Sequence, residues 1–403
     1  MESKPPYVAL LFTTFPKTSE TFLQRDVEAL LERGTPVRLY SLWGGGGEFH
    51  GRTVNVFNKW RLIPLFFAII PWNCVRRPRV VLDLFEGVIQ RRPPGWLNFW
   101  ENMLGAGFAG CFYDTFRRDP PALIHGAWAG APATAGWLLW RILGVPYSTG
   151  AHAYDLFEHG GDWWLREKIA RARFVQTSTE SGRQHLLDHG ANPDKVHVIR
   201  RGLNSFPDLK PLRHPRTPLR MVCVARLVPK KGLFFQLAIY ASLRNAGIEF
   251  EARIIGGGPD HDLLAADIQR RNLAGHVSLL GPLPNSGVWG HLAWADVLLH
   301  TGVVAPNGDR DGLPNVIPEA MAAGAVVVSS PVSATIEAVR PGETGLLADV
   351  TRPEEWVEAL RRVRDDDALA ERLRAGARAW VEENYDARRN AARLSALFAA
   401  ARS

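Results

Sequence analysis

Two carboxylates with seven residues between them, Asp311 and Glu319, frame the stretch NGDRDGLPNVIPEAMAAGAVVVSS from Asn307 to Ser330. Its composition predicts a polar loop punctuated by Gly312 and Pro314, a helix over Ile317 to Ala323, a stop at Gly324 and a strand over Ala325 to Val328. Both acids can then face a ligand at the helix N-terminus, where unpaired N–H groups and a partial positive charge suit a phosphate or a set of sugar hydroxyls. Pro318 is compatible with that helix, because a first-turn residue has no intrahelical N–H bond to lose. A second constellation supplies the opposite charge. A strand over Leu219 to Ala225 delivers Arg226 and, five residues on, Lys231 into the mouth of the next helix. Two fixed cations on one side of a crevice are what a departing diphosphate requires when no metal is present. A third candidate, His152, follows the strand Val145 to Thr149, at the carboxyl end where α/β sheets place ligands; a solitary histidine is otherwise more often structural.

The elements that position these groups alternate strand and helix. At 403 residues and 46% hydrophobic content, the chain exceeds one ordinary core, and ~150 residues per domain points to two or three. The net charge of +7 favours acidic partners: nucleotide diphosphates, nucleic acid or an anionic membrane. No RNA-binding or helix-turn-helix signature accompanies it, which leaves nucleic acid the weakest of the three. Cys74, Cys111 and Cys223 are far apart and odd in number, and read as buried free thiols of a reducing compartment. Val8 to Phe12 reads as a first buried strand and not as a signal peptide. It leads through Lys17, Thr18 and Ser19, with Thr18 or Ser19 able to cap the following helix, into a βαβ opening whose ligand face is this first loop. Residues 1–205 form an N-terminal domain. Four prolines within 206–218 mark a linker, 219–385 form a second domain, and 386–403 a final helix.

Between Trp60 and Trp72 the chain reads WRLIPLFFAIIPW, followed by Arg76, Arg77 and Arg79. The run is shorter than the ~20 residues of a spanning helix and is broken by Pro64 and Pro71. Two readings stand: a segment resting among lipid headgroups, extended by Trp96, Phe99, Trp100, Arg91 and Arg92, or a buried helix with a solvated arginine cap. His185 and His189 have a zinc-compatible spacing but no third ligand, so they read as a solvated helix face.

The segment Asp311-Gly312-Leu313-Pro314 followed by Glu319-Ala320-Met321-Ala322-Ala323-Gly324 resembles the E-G-x-P-x-x-x-x-E-A-x-A-x-G signature of retaining glycosyltransferases of family 4. The departure is Asp311 where Glu is usual, which shortens the reach by one methylene. Arg226 to Gly232 is similar to that family's Arg-x-x-x-x-Lys-Gly segment, and Thr149 to Asp155 to its Thr-x-His-x-x-Asp segment. Ser19-Glu20-Thr21-Phe22 resembles the exopolysaccharide and colanic-acid branch. The resemblance implies an α/β fold of the GT-B type, two Rossmann-like domains facing across a cleft, with the last helix returning to the first domain. It implies transfer of a sugar from a UDP- or GDP-sugar to a glycan or lipid-linked acceptor with retention, without metal or cofactor, in a cytoplasmic protein or one peripheral on the inner membrane. Arg226 and Lys231 would hold the diphosphate and Glu319 the ribose. Asp311 with the backbone of Gly312, Leu313, Pro314 and Asn315 would grip the sugar, with His152 against it and Asp155 in support. The loops at Gly258 and Leu283 would border the nucleotide, and Lys17, Thr18 and Ser19 would replace the glycine pair common elsewhere in the family's first loop. Asp309-Arg310-Asp311 also spells the D-x-D metal motif of a different glycosyltransferase fold, discounted for its place before Gly-Leu-Pro. Alternatives are an acceptor that is small and soluble, or a nucleotide-sugar-binding protein whose catalysis the Asp311 change has weakened.

Overall fold

The computed structural model describes residues 6–17, 20–57, 59–82, 86, 93–332 and 334–402. The chain divides into two compact units, Met1–Arg201 with Ala387–Ser403, and Gly202–Asp386. Each is built on a sheet whose central strands are apolar on both faces, the pattern of a parallel sheet covered by helices.

In the first unit the strands are β1 (Val8–Phe12), β2 (Val37–Ser41), β3 (Gly47–Phe49), β4 (Arg52–Val56), β5 (Leu123–Gly126), β6 (Tyr147–Gly150), β7 (Val175–Thr177) and β8 (Val196–Val198). They lie in the order β3-β4-β2-β1-β5-β6-β7-β8, parallel except for the β3–β4 hairpin. All five residues of β1 are buried. The order reverses between β1 and β5, so the loops leaving their carboxyl ends open at a switch point. The terminal helix Ala387–Ala401 packs on helix Thr21–Glu32. Ala387, Ala391, Leu394 and Phe398, spaced as one helical stripe, join Leu23, Val27 and Leu30 in one core cluster. That first helix starts after Glu20 without a side-chain cap; the capping residues expected there, Thr18 and Ser19, lie outside the described residues.

The segment following β4 is helical from Lys59 to Arg76, and the buried-helix reading of it does not hold. Leu65 is buried, whereas Trp60, Ile63, Phe66, Phe67, Ile70 and Trp72 are exposed. Trp96 and Trp100 are exposed too, and the partly buried Phe99 joins them, its ring 5.7 Å from that of Trp96 and 5.4 Å from that of Trp100, while it also lies 5.9 Å from the buried Trp163. Arg91 and Arg92 lie outside the described residues. Of the cysteines, Cys223 is buried and Cys111 partly so, but Cys74 is exposed because its helix Ile70–Arg76 buries no residue.

In the second unit, β9 (Leu219–Val224), β10 (Phe250–Ile255), β11 (Val277–Gly281), β12 (Val297–His300), β13 (Val326–Ser329) and β14 (Leu346–Leu347) form a parallel sheet in the order β11-β10-β9-β12-β13-β14. Its switch point lies between β9 and β12. The proline-rich stretch 206–218 is not a free linker but part of this unit, because its polar groups are tied down. Arg216, 1% exposed, donates to the carbonyls of Val363 and Arg364 at 2.8 and 2.9 Å. Arg213 pairs with Asp296, and Arg374 donates to the Lys210 carbonyl at 2.6 Å. The division between units consequently falls at Arg201/Gly202, before the prolines.

Candidate functional site

In the second unit the candidate residues gather at the carboxyl ends of β9, β10 and β12. The turn Pro229–Lys231 ends at Gly232, whose φ of +62° suits glycine; a Cβ there would stand 1.9 Å from the Thr301 carbonyl oxygen. That close approach lets the turn lie against the loop leaving β12. Val303 N donates to the Lys230 carbonyl at 2.9 Å and Thr301 Oγ1 to the Lys231 carbonyl at 3.1 Å. Lys231 Nζ thereby reaches Asp311 Oδ2 at 2.5 Å, while Lys230 Nζ pairs with Asp309 Oδ1 at 2.9 Å and lies 3.7 Å from Asp311 Oδ1. His300, the last residue of β12, bonds Ser329 Oγ through Nδ1 at 3.0 Å and turns Nε2 to within 3.8 Å of Asp311.

Burial alone would raise the Asp311 carboxyl pKa, but Lys231, the neighbouring His300 imidazole and Lys230 outweigh it and hold the group well below the usual carboxylate range. Burial pushes the His300 imidazole down, against the pull of Asp311. Both carboxylates of Asp309-Arg310-Asp311 therefore face lysines. Among the described residues no three His, Cys, Asp or Glu side chains converge as metal ligands.

Leu313 packs against the core and Pro314 is buried, which fixes the entry to helix Val316–Ala323. Glu319, in the first turn, is 7% exposed on a helix whose residues from Val316 to Ala322 are all buried. Gly258 would place a Cβ 2.4 Å from the Leu227 carbonyl oxygen, and Leu227 N donates to the Gly257 carbonyl at 3.0 Å, so the glycine loop after β10 lies against Arg226-Leu227. Leu283 is half-buried beyond β11. Arg226 is exposed at the end of β9, outside any ion pair with the described residues.

In the first unit, His152 is 5% exposed beyond β6, its ring 5.7 Å from that of Trp128, which leaves β5. Both ring nitrogens are buried without a hydrogen-bond partner among the described residues, and burial holds the imidazole neutral, well below its ordinary pKa. A buried polar ring left unsatisfied points to a hydrogen bond made by a ligand. Asp155 is buried and accepts from the main-chain N–H of Ala129 at 3.0 Å and of His152 at 3.4 Å, clamping the loops after β5 and β6. Burial, reinforced by the nearby Asp162, raises its carboxyl pKa well above the usual value. Behind it, Lys168, fully buried, bonds Asp162, the Ala129 carbonyl at 2.5 Å and Asn102 Oδ1 at 3.1 Å. Replacing Lys168 by methionine leaves Asp162 buried without its cation and is expected to cost about 3–5 kcal/mol, read as a lowered denaturation midpoint. Lys17 bonds Glu20 at 2.7 Å on the surface after β1, and Thr18 and Ser19 lie outside the described residues.

Lysines 230 and 231, Asp309, Asp311 and His300 thus form one ionic cluster. His300 and Lys230 are members that the sequence reading did not single out; the available signal was a histidine ending a strand, the same signal that marked His152. Lys168 and Asp162, six residues apart, carried no comparable signal, because what buries the pair is its distant partners, Asn102 and the Ala129 carbonyl.

Residues 206–380 match the family described as glycosyl transferases group 1, and residues 19–205 match glycosyltransferase family 4. The amylovoran biosynthesis glycosyltransferase AmsK of Erwinia amylovora is 27% identical over 92% of this chain and 94% of its own length. WcaL of Escherichia coli K12, named for colanic acid biosynthesis, is 26% identical over 91% of this chain and 90% of its own. Among solved structures, Anabaena Alr3699/HepE in complex with UDP superposes with a TM-score of 0.72, at 17% identity, over 98% of this chain and 100% of that one.

Proposed function

Because the chain belongs to the group 1 glycosyltransferases of family 4 and has the GT-B fold, we propose that it moves a hexose from a nucleotide-diphosphate sugar to an acceptor hydroxyl with retention of configuration. The observation that carries this reading is the Lys231–Asp311 pair, 2.5 Å apart at the switch point of the second sheet. A lysine already held there needs little reorganisation to take up the charge of a departing diphosphate. Arg226, exposed at the neighbouring strand end, is its partner for the second phosphate. Glu319 accepts from the ribose hydroxyls, and Asp311 with the main chain of Gly312 to Asn315 binds the sugar. His152, neutral, can donate from one ring nitrogen and accept at the other, which suits a sugar hydroxyl. Asp155 is a positioning residue that holds the His152 loop.

In the step itself, the bond from the anomeric carbon to the diphosphate oxygen breaks and the acceptor oxygen bonds to that carbon from the same face. The acceptor proton passes to the departing phosphate. The names of AmsK and WcaL support an acceptor that is a growing polysaccharide repeat, glycan or lipid-linked, and the UDP held by HepE supports a uridine diphosphate donor, with a GDP-sugar as the alternative.

The test is incubation with UDP-glucose and GDP-mannose, each with lipid-linked and soluble acceptors, following nucleotide release and the anomeric configuration of the product. Retained product with one donor is expected; an inverted product overturns the mechanism. The Asp311 departure favours a second reading, a nucleotide-sugar binder of weakened catalysis. That reading requires tight UDP binding without turnover, restored by Asp311→Glu.

A further inference from the structure

Among the described residues, the helical segment Lys59–Arg76 is anchored along one edge on helix Trp96–Arg118. Leu65 and Ile69 lie against Gly107 and Gly110 of helix Trp96–Arg118; a Cβ at either glycine would come within 3.1 Å of Leu65. Cys111 Sγ approaches the Arg61 carbonyl at 3.5 Å, and Arg77 donates to Tyr113 Oη at 2.9 Å. The edge turned away from that helix carries Ile63, Phe66, Phe67 and Ile70, at the three- and four-residue spacing of one helix face, and all four are exposed, Phe67 by 83%. Water-facing helix surfaces are normally polar, so the apolar stripe here is reversed relative to a solvated helix.

Charge identifies the occupant. Residues 60–82 contain no Asp or Glu, and Arg61, Arg76, Arg77 and Arg79 lie among them. The exposed Trp60 and Trp72 flank the Ile and Phe face, with the Arg76 guanidinium 4.7 Å from the Trp72 ring centre. An apolar face bounded by tryptophans and backed by arginines matches the layering of a bilayer surface, hydrocarbon below and anionic phosphate above. No helix of the described residues is long and apolar enough to cross a membrane.

We infer that the exposed face of Lys59–Arg76 docks the first unit on an anionic lipid bilayer, with Phe66 and Phe67 entering the acyl boundary and Arg76 and Arg79 meeting the headgroups. This goes beyond the transfer reaction, and it is tested with no donor or acceptor present.

The experiment is sedimentation of the full chain with vesicles of phosphatidylcholine alone or with about one third phosphatidylglycerol. The wild type is expected to partition at least tenfold more strongly onto the anionic vesicles, and several-fold less strongly once salt shortens the Debye length from ~10 Å at 0.1 M to ~3 Å at 1 M. Phe66→Ser with Phe67→Ser is expected to lower partition at least tenfold, and Arg76→Gln with Arg79→Gln to remove the preference for anionic lipid. Both double variants should keep the wild-type circular dichroism and UDP titration, so that loss of docking is not loss of fold. Failure of the wild type to sediment, equal binding to both vesicles, or undiminished binding by the phenylalanine variant overturns the inference. A concentration-dependent dimer that dissociates in the phenylalanine variant, without vesicle binding, overturns it in favour of a second copy of the chain.

Discussion

Lys231→Ala lowers kcat/KM by roughly 10²- to 10³-fold, the loss expected when one preorganised charge donor to a departing anion is removed. The size follows from where the ammonium sits. Its side chain is 12% exposed and paired at 2.5 Å with a carboxylate that remains ionised far below neutral pH, so the site holds a fixed charge before any ligand arrives. An incoming diphosphate competes with Asp311 for the same donor, and the bond to phosphate strengthens as negative charge develops on the leaving oxygen. Interactions that grow in this way raise kcat, whereas equal binding of both states does not. The alanine variant keeps its fold, because Lys230 at 3.7 Å and His300 at 3.8 Å still neighbour Asp311. Steady-state kinetics beside a thermal melt separates the two effects. Wild-type kcat/KM in a folded Lys231→Ala protein would falsify the assignment of the cation.

Glu319→Ala acts at binding as well as turnover. Hydrogen bonds to a charged group contribute ~1.5–3 kcal/mol, which converts to roughly 10- to 150-fold weaker UDP in a calorimetric titration. Transfer falls below detection if the misplaced nucleotide also shifts the reacting carbon by about 1 Å, a displacement able to cost ~10² on its own. The substitution is mild for the helix, since alanine is the best helix former and the neighbouring Ile317, Ala320 and Met321 are already buried in an apolar cluster. Glu319→Gln, which keeps the shape and loses the charge, should fall between wild type and alanine. Unchanged UDP affinity in both variants would move the ribose contact elsewhere.

The parts of this site that were legible in the chain are those written in local pattern. β1, β9 and β13 are apolar runs between turn residues, and the Gly232 and Gly324 stops stand where helices begin or end. The acid pair, the Arg226–Lys231 spacing and the strand-end His152 could be located because a parallel sheet presents its loops at one edge. The exposure of Phe66 and Phe67 could not be read there. A short apolar run has the same periodicity whether a core covers it or nothing does, and only the packing of Leu65 on Gly107 and Gly110 decides which side faces inward. Proline content suggested a linker at 206–218, yet Arg213 and Arg216 bind carboxylates and carbonyls far along the chain and make that stretch part of the second unit.

What the amino-acid order determined by itself was the family, the two α/β layers and the residue types at the strand ends, since each depends on neighbours within a few positions. Tertiary structure alone decided that Lys230, Asp309 and His300 join Lys231 and Asp311, and that Lys168 meets Asn102 and the Ala129 carbonyl. Those groups come from turns, strands and helices whose separation in sequence carries no information about distance until the sheets are wound.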